Sequence, residues 1–373
     1  MTKPFGSPGT EATVERGMRR RAVGRRQPKR KGDAVKVAVI TGPGAVELRD
    51  EPDPTPGSEQ VVVEVEACGI CTFERRLFAG DKKWYPVAPG HEAGGVVVAV
   101  GSGVDGLAGA PRVGDRVTFD LLTRCGTCGP CRRGKTSLCR HRQGRILSDG
   151  TISMGGFSDT IAIDSKSVYP IGDAPMTHAA MGEPIACCVH SLRQGGFQAG
   201  DRVAIIGGGL MGRIHLALAK VGAAASIGVI DVSDERLAEA KEAGADWVAK
   251  PEEALEVGGM QDVIFVTAMA GVDLAVEMAD KGGTVVLYSA FDKELPATVG
   301  ADKSHREEVA IVGAFSQEPE DWQYGSALIR SGLIADELDK LVTARFPFEE
   351  IGDALTLVTT EPTYRVFVEP EHG

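Results

Sequence analysis

Between residues 203 and 288 the chain alternates short β-rich runs with amphipathic stretches of helical length, and no other feature limits its topology so tightly. Residues 203–206, 227–230, 263–266 and 284–288 read as strands, whereas about 210–221 and 235–243 read as helices. Strands joined through helices lie parallel, and right-handed crossovers then build a doubly wound sheet, so the expected class is α/β.

Gly207, Gly209 and Gly212 stand between the first strand and the first helix as G-x-G-x-x-G. In that setting Gly207 allows the tight turn, Gly209 lets a pyrophosphate approach the backbone, and Gly212 lets helix and strand pack closely. Leu210 and Met211 open the helix, whose free N–H groups and positive dipole end suit phosphate. Asp231 follows the next strand, 19 residues after Gly212, where a carboxylate can accept from both adenosine-ribose hydroxyls. A 2′-phosphate there meets a like charge, at a cost of about 4 kcal/mol for about 4 Å and an effective dielectric near 20. The site is therefore expected to prefer NAD to NADP.

Cysteines occur at 68, 71, 125, 128, 131, 139, 187 and 188. Cys125, Cys128, Cys131 and Cys139 form C-x2-C-x2-C-x7-C among turn-forming glycines and a proline, a spacing that can close a tetrahedral zinc shell with no open position. Pairwise disulfides over such short loops are strained. A second set is scattered: Cys71, then Gly90-His91-Glu92, then Glu183-Pro184. One thiolate, one imidazole and carboxylates make a mixed shell that can leave a position for a substrate oxygen. Cys68, Cys187 and Cys188 read as packing residues, and His178, His190 and His215 as structural.

The remaining chain frames these motifs. Residues 36–40, 60–67, 95–100 and 116–119 suggest a compact β-rich domain, with Val61, Val63 and Val65 inward and Glu64 and Glu66 outward. After about residue 320, Phe348, Ile351, Leu355 and Val358 share a helical face and a strand follows at 364–368; so small a tail is expected to return to the first domain. Residues 1–33 hold ten Lys or Arg against three acids, leaving −18 of the net charge of −11 on the other 340 residues. That arm lacks apolar periodicity and reads as an unstructured basic extension, with no nucleic-acid partner expected. The absence of a run of about 18 apolar residues or an apolar leader points to a cytoplasmic protein with no membrane partner.

Gly69-Ile70-Cys71, Gly90-His91-Glu92, Val113-Gly114-Asp115-Arg116-Val117, the four-cysteine lobe, Glu183-Pro184 and the glycine turn stand in an order and spacing that resembles the zinc-containing medium-chain dehydrogenases, in their polyol and threonine dehydrogenase-like branch. The resemblance covers about residues 34–373. It implies a GroES-like catalytic domain at 34–184 carrying a structural-zinc lobe near 125–139, a Rossmann NAD-binding domain at 185–320, and a C-terminal return at 321–373. It implies two zinc ions per chain, the catalytic one held by Cys71 and His91 with Glu92 and Glu183 as alternating or water-linked ligands. Arg236 matches a position where the family often places a base beside the adenosine ribose, and the family suggests a homodimer or homotetramer.

The expected reaction is reversible NAD-linked oxidation of a secondary alcohol to a ketone on a small polar substrate: a polyol, cyclitol, sugar or amino alcohol. A biosynthetic ketone or aldehyde reductase using the same site is the second reading, and a non-catalytic nucleotide-binding relative the third. One departure bears on the proton. Where the family usually has Ser or Thr two residues after the catalytic cysteine and often His five after it, this chain has Phe73 and Arg76, with Thr72 adjacent. The proton must then leave through Glu92, Glu183 or the substrate's own hydroxyls.

Overall fold

A computed structural model describes residues 34–142, 144–291, 298 and 300–371; the basic arm at 1–33 lies outside them. Arg202–Ile206, Ser226–Ile230, Trp247–Ala249, Gln261–Val266, Ala279–Leu287 and Ala310–Gly313 form one sheet in which every neighbouring pair is parallel. Counted along the chain, their spatial order is 3-2-1-4-5-6, so the order reverses beside Arg202–Ile206, and a crevice for ligand opens at such a switch point. The sequence pattern omits Trp247–Ala249 and Ala310–Gly313. The former has three residues, too few for a period, and the latter is a half-exposed edge without alternation.

The helix Leu210–Val221 starts directly after Gly209 and packs Leu210, Ile214 and Leu218 against Ile185 and Cys188 of the helix Gly182–Gln194. Ser233 caps the helix Asp234–Glu242, its Oγ accepting from the Arg236 N–H at 3.3 Å.

In the β-rich half, the strand Gln60–Gly69 pairs antiparallel with Glu92–Val100, Thr160–Asp164 and Arg365–Glu369. The C-terminal strand therefore returns to this sheet, bringing Val342–Pro347 parallel beside it. Phe348, Ile351, Leu355 and Val358 fill the same core as Val61, Val63 and Val65. Glu64 and Glu66 are half-buried rather than outward in solvent, because neighbouring strands flank this one on both edges and segments cover it. A register shift between Val65 and Ala67 turns the strand: Val65 faces one core and Ala67 another. Such a bulge re-aims the following side chains, here those leading to Cys71. No helix among the described residues is long and apolar enough to cross a membrane.

His215 is fully buried in the helix Leu210–Val221, its ring 4.8 Å from Phe265 and 5.0 Å from Tyr288. Nδ1 donates to the Met211 carbonyl at 2.7 Å while Nε2 has no partner, and burial pushes its pKa down to about 4. The charged form is thus favoured in the unfolded chain, so this residue's contribution is complete above about pH 6.5 and is lost as pH falls towards 4. The full effect is roughly 3 kcal/mol at about 1.4 kcal/mol per pKa unit. Denaturant unfolding of His215→Leu between pH 7 and 4 should show a shallower loss of stability than the parent; parallel curves would remove His215 from the acid response.

Candidate active site and nucleotide turn

Cys71 closes the Gln60–Gly69 segment and caps the helix Thr72–Ala79, while His91 and Glu92 stand at the start of the neighbouring strand Glu92–Val100. One ligand atom each from Cys71, His91 and Glu92 lies within 4.8 Å of the others, and all eight cysteines are free thiols. Soft and hard donors at such separations suit zinc, and three protein donors leave room for another.

The geometry depends on Glu74, which the sequence reading missed. This carboxylate is fully buried, with Oε2 accepting from the Cys71 N–H at 3.0 Å and Oε1 from the Gly90 N–H at 3.1 Å and His91 Nδ1 at 2.9 Å. Burial disfavours its charge, but His91 and these N–H bonds outweigh that and lower its pKa. Because an ionised carboxylate only accepts, Nδ1 carries the proton and Nε2 is left free for a metal. Gly90 reaches this bond with φ 89°, and a Cβ there would lie 2.4 Å from the Phe157 nitrogen. The sequence signal was available: Glu74 stands three residues after Cys71, the spacing of a reciprocal helix cap.

Glu92 is held from far along the chain. Arg365 Nε lies 2.8 Å from Glu92 Oε2, off the N–H direction, so neither atom gains an aligned hydrogen bond. Another guanidinium N–H donates to the Ile70 carbonyl. Burial pushes the Glu92 carboxyl up to about 7, against the pull of Arg365 and His91. Glu183 stands apart from the three-donor group among the described residues: its Oε1 accepts from the Cys187 thiol at 3.2 Å. Burial raises the Glu183 pKa, with His91 the leading opposing charge.

Phe73 occupies the position two after Cys71. Its ring is edge-on to His91 at 6.1 Å and to Trp84 at 6.2 Å, with Lys82 Nζ 4.6 Å from its centroid. Thr72 is exposed and Arg76 half-buried. Cys68 lies in the β core and donates to the Gly69 carbonyl.

The four cysteines of the lobe also converge within 4.8 Å, Cys125 and Cys131 Sγ being 4.0 Å apart. A tetrahedron with Zn–S of about 2.3 Å has an edge near 3.8 Å, so the donors fit that ion. The Cys128 N–H draws the Cys125 thiol down to about 5, whereas burial and adjacent thiols push Cys131 up to about 12. Four thiols this close ionise together only around a cation.

At the glycine turn Gly207 has φ 111°, and a Cβ on Gly212 would lie 1.8 Å from the Gly207 carbonyl oxygen. A Cβ on Gly209 would meet nothing within 4 Å, which leaves its face open to a phosphate. Leu210 and Met211 pack inward with their side chains, so what they offer a cofactor is backbone N–H. Asp231 Oδ2 accepts from the Gly208 N–H at 2.7 Å and Oδ1 from the Ser233 N–H at 2.9 Å. Arg236 Nη1 is 3.7 Å from the same Oδ2.

Residues 57–173 match the alcohol dehydrogenase GroES-like domain, and residues 211–331 the zinc-binding dehydrogenase domain. Galactitol 1-phosphate 5-dehydrogenase of Escherichia coli K12 is 30% identical over 80% of this chain and 88% of its own length. Sorbitol dehydrogenase of Halalkalibacterium halodurans is 28% identical over 88% and 97%. A zinc-binding dehydrogenase from Sinorhizobium meliloti 1021, solved with NADP bound, superposes with a TM-score of 0.80 at 29% identity, covering 90% of this chain and 99% of that one. With its zinc-type donor sets and its dinucleotide turn on a doubly wound sheet, the chain belongs to the zinc-containing alcohol dehydrogenases, as an oxidoreductase of their polyol dehydrogenase branch acting on CH–OH with zinc and NAD(P).

Proposed function

We propose that the protein oxidises one secondary hydroxyl of a small polyol, or reduces the matching ketone, with NAD as the preferred cofactor. The observation that carries this reading is the convergence of Cys71, His91 and Glu92 on one point, beneath Glu74 and apart from the closed four-cysteine lobe. The polyol and polyol-phosphate names of the relatives support the substrate class. A homodimer or homotetramer in the cytoplasm belongs to the same reading.

When bound, zinc supplies Lewis acidity that lowers the pKa of the substrate hydroxyl, and NAD takes up the hydride. Cys71, His91 and Glu92 would hold the catalytic ion, with Glu183 as an exchanging fourth partner, and Cys125, Cys128, Cys131 and Cys139 the structural one. Glu74 fixes the His91 tautomer and orients its ring. Because Phe73 has no hydroxyl and Arg365 lies against Glu92, the proton is taken up at Glu183, the carboxylate held by the weak Cys187 thiol donor. Gly207, Gly209 and Gly212, with the backbone of Leu210 and Met211, bind the pyrophosphate. Asp231 and Arg236 bind the adenosine ribose, after Asp231 exchanges its bond from Gly208 for ribose hydroxyls.

Four substitutions test this reading. Cys71→Ser should stay folded but lose at least about a hundredfold in turnover and one zinc per chain. Cys128→Ser should lose the other zinc with a drop in melting temperature, and an active enzyme free of zinc would refute both roles. The ratio of kcat/KM for NAD over NADP should exceed one for the parent and fall on Asp231→Ser; a parent ratio near one removes the role given to Asp231. Glu183→Gln should lower kcat and alter the pH–rate limb and solvent isotope effect while NADH affinity stays within about twofold. An unaltered profile in that variant would assign the proton to the substrate's neighbouring hydroxyls.

A further inference from the structure

Phe73, two residues after Cys71 on the helix Thr72–Ala79, joins the donor group to the loop that follows the helix. Its ring makes a T-shaped contact with the donor His91, 6.1 Å between centroids, and another with Trp84 at 6.2 Å. The same ring carries the Lys82 ammonium, 4.6 Å from its centroid. One aromatic ring therefore separates this ammonium from a candidate metal ligand. Lys82 is exposed and Trp84 is 44% exposed, so both are open to a solute, whereas Phe73 is half-buried between them and His91.

The loop is tied to the helix without using the ammonium: the Lys82 backbone N–H donates to the Arg76 carbonyl at 3.1 Å, and the Tyr85 hydroxyl donates to the Leu77 carbonyl. The charge is left unanswered. Among the described residues none of Arg75, Arg76, Lys82 and Lys83 forms an ion pair, although the chain beyond its basic arm is acidic. Of the two acids in this segment, Asp81 is exposed and Glu74 is buried in its bonds to Cys71, Gly90 and His91. An aromatic ring attracts a cation without neutralising it, so Lys82 keeps its charge and its N–H donors for an anion. Arg76 lies three residues after Phe73, on the same helix face, which adds a second positive charge on that side.

We propose that Lys82 is a specificity-determining residue that binds an anionic group at the far end of the substrate, a terminal phosphate ester or carboxylate on a polyol. The inference rests on the polyol reading and deepens it. The ring between Lys82 and His91 sets the anion several carbons from the hydroxyl that meets the donors, and the carbon chain between them packs its C–H groups on Phe73 and Trp84. A neutral polyol offers the ammonium little that water does not. A phosphate or carboxylate forms charge-assisted hydrogen bonds with it, and the surrounding cations draw such a substrate to an otherwise acidic chain.

The test uses the full zinc-loaded chain with D-sorbitol and galactitol, the esters D-sorbitol 6-phosphate and galactitol 1-phosphate, and the carboxylates D-gluconate and D-galactonate. At low ionic strength kcat/KM for at least one anion should exceed that of its neutral polyol by roughly tenfold or more, and added salt should narrow the gap. Lys82→Met should raise KM for that anion by roughly ten- to hundredfold and change KM for the neutral polyol by less than about threefold. Melting temperature, zinc content and NADH affinity should stay as in the parent, and Lys82→Arg should keep most of the preference. The arm that shows the Lys82-dependent gain, ester or carboxylate, identifies the anion. An anion with no advantage, an advantage that survives Lys82→Met, an equal change for anion and neutral polyol, or a loss confined to NADH affinity would overturn the proposal and leave the polyol reading intact. A parent enzyme that oxidises none of the six compounds overturns both.

Discussion

The donor geometry depends on one buried negative charge. Glu74 has no exposure to water, yet it gathers three N–H groups from two separate segments: the helix cap at Cys71 and the turn at Gly90-His91. Removing any of these donors leaves a buried carboxylate less compensated, so the two segments are coupled by electrostatics as well as by chain geometry. The bulged strand Gln60–Gly69 brings Cys71 to this point, and Gly90 admits the close approach of Phe157 that brings His91. Cys71, His91 and Glu92 converge because a carboxylate behind them requires the backbones to converge.

A second layer of positioning comes from distant sequence. Arg365 is 295 residues from Ile70, whose carbonyl it binds, and it places a guanidinium against Glu92. Two buried groups of opposite charge without an aligned hydrogen bond are in an incompletely satisfied state, which a cation on Glu92 would change. Glu183 is differently held, by a thiol, a weak donor that allows a carboxylate to move. Among the three carboxylates near His91, Glu74 is thus fixed, Glu92 is paired to a cation, and Glu183 is the one with freedom to exchange partners.

What the sequence made legible was local. G-x-G-x-x-G, the four-cysteine lobe and the alternation of strands and helices each depend on a few consecutive residues, and the structure has the expected turn, cluster and parallel sheet in those places. Glu74 was readable in principle from its spacing to Cys71, but a glutamate in the first turn of a helix is ordinary and its burial is not visible in a sequence. Arg365 was not readable at all. It acts through contacts across the fold and belongs to no repeating pattern or motif. Cys187, which looks like a packing residue in an apolar helix, is buried as expected but touches both Glu183 and Gln317.

The four-cysteine lobe bears on the candidate site without lying in it. Its four thiols converge, and Thr136, Ser137, Arg124 and Arg142 stand on the same loop. These residues hold the turn from Phe315 to Glu318 by its side chains and backbone. Glu318 also accepts at the start of the helix Pro319–Ser331, whose Asp321 binds His190 Nδ1 at 2.8 Å on the helix that begins beside Glu183. Two routes therefore run from the lobe to Glu183, one through Gln317 and Cys187 and one through the packed helices. A loss of order in the lobe is therefore expected to loosen Glu183 before it exposes the main cores, so the two donor clusters share no residue but are mechanically joined.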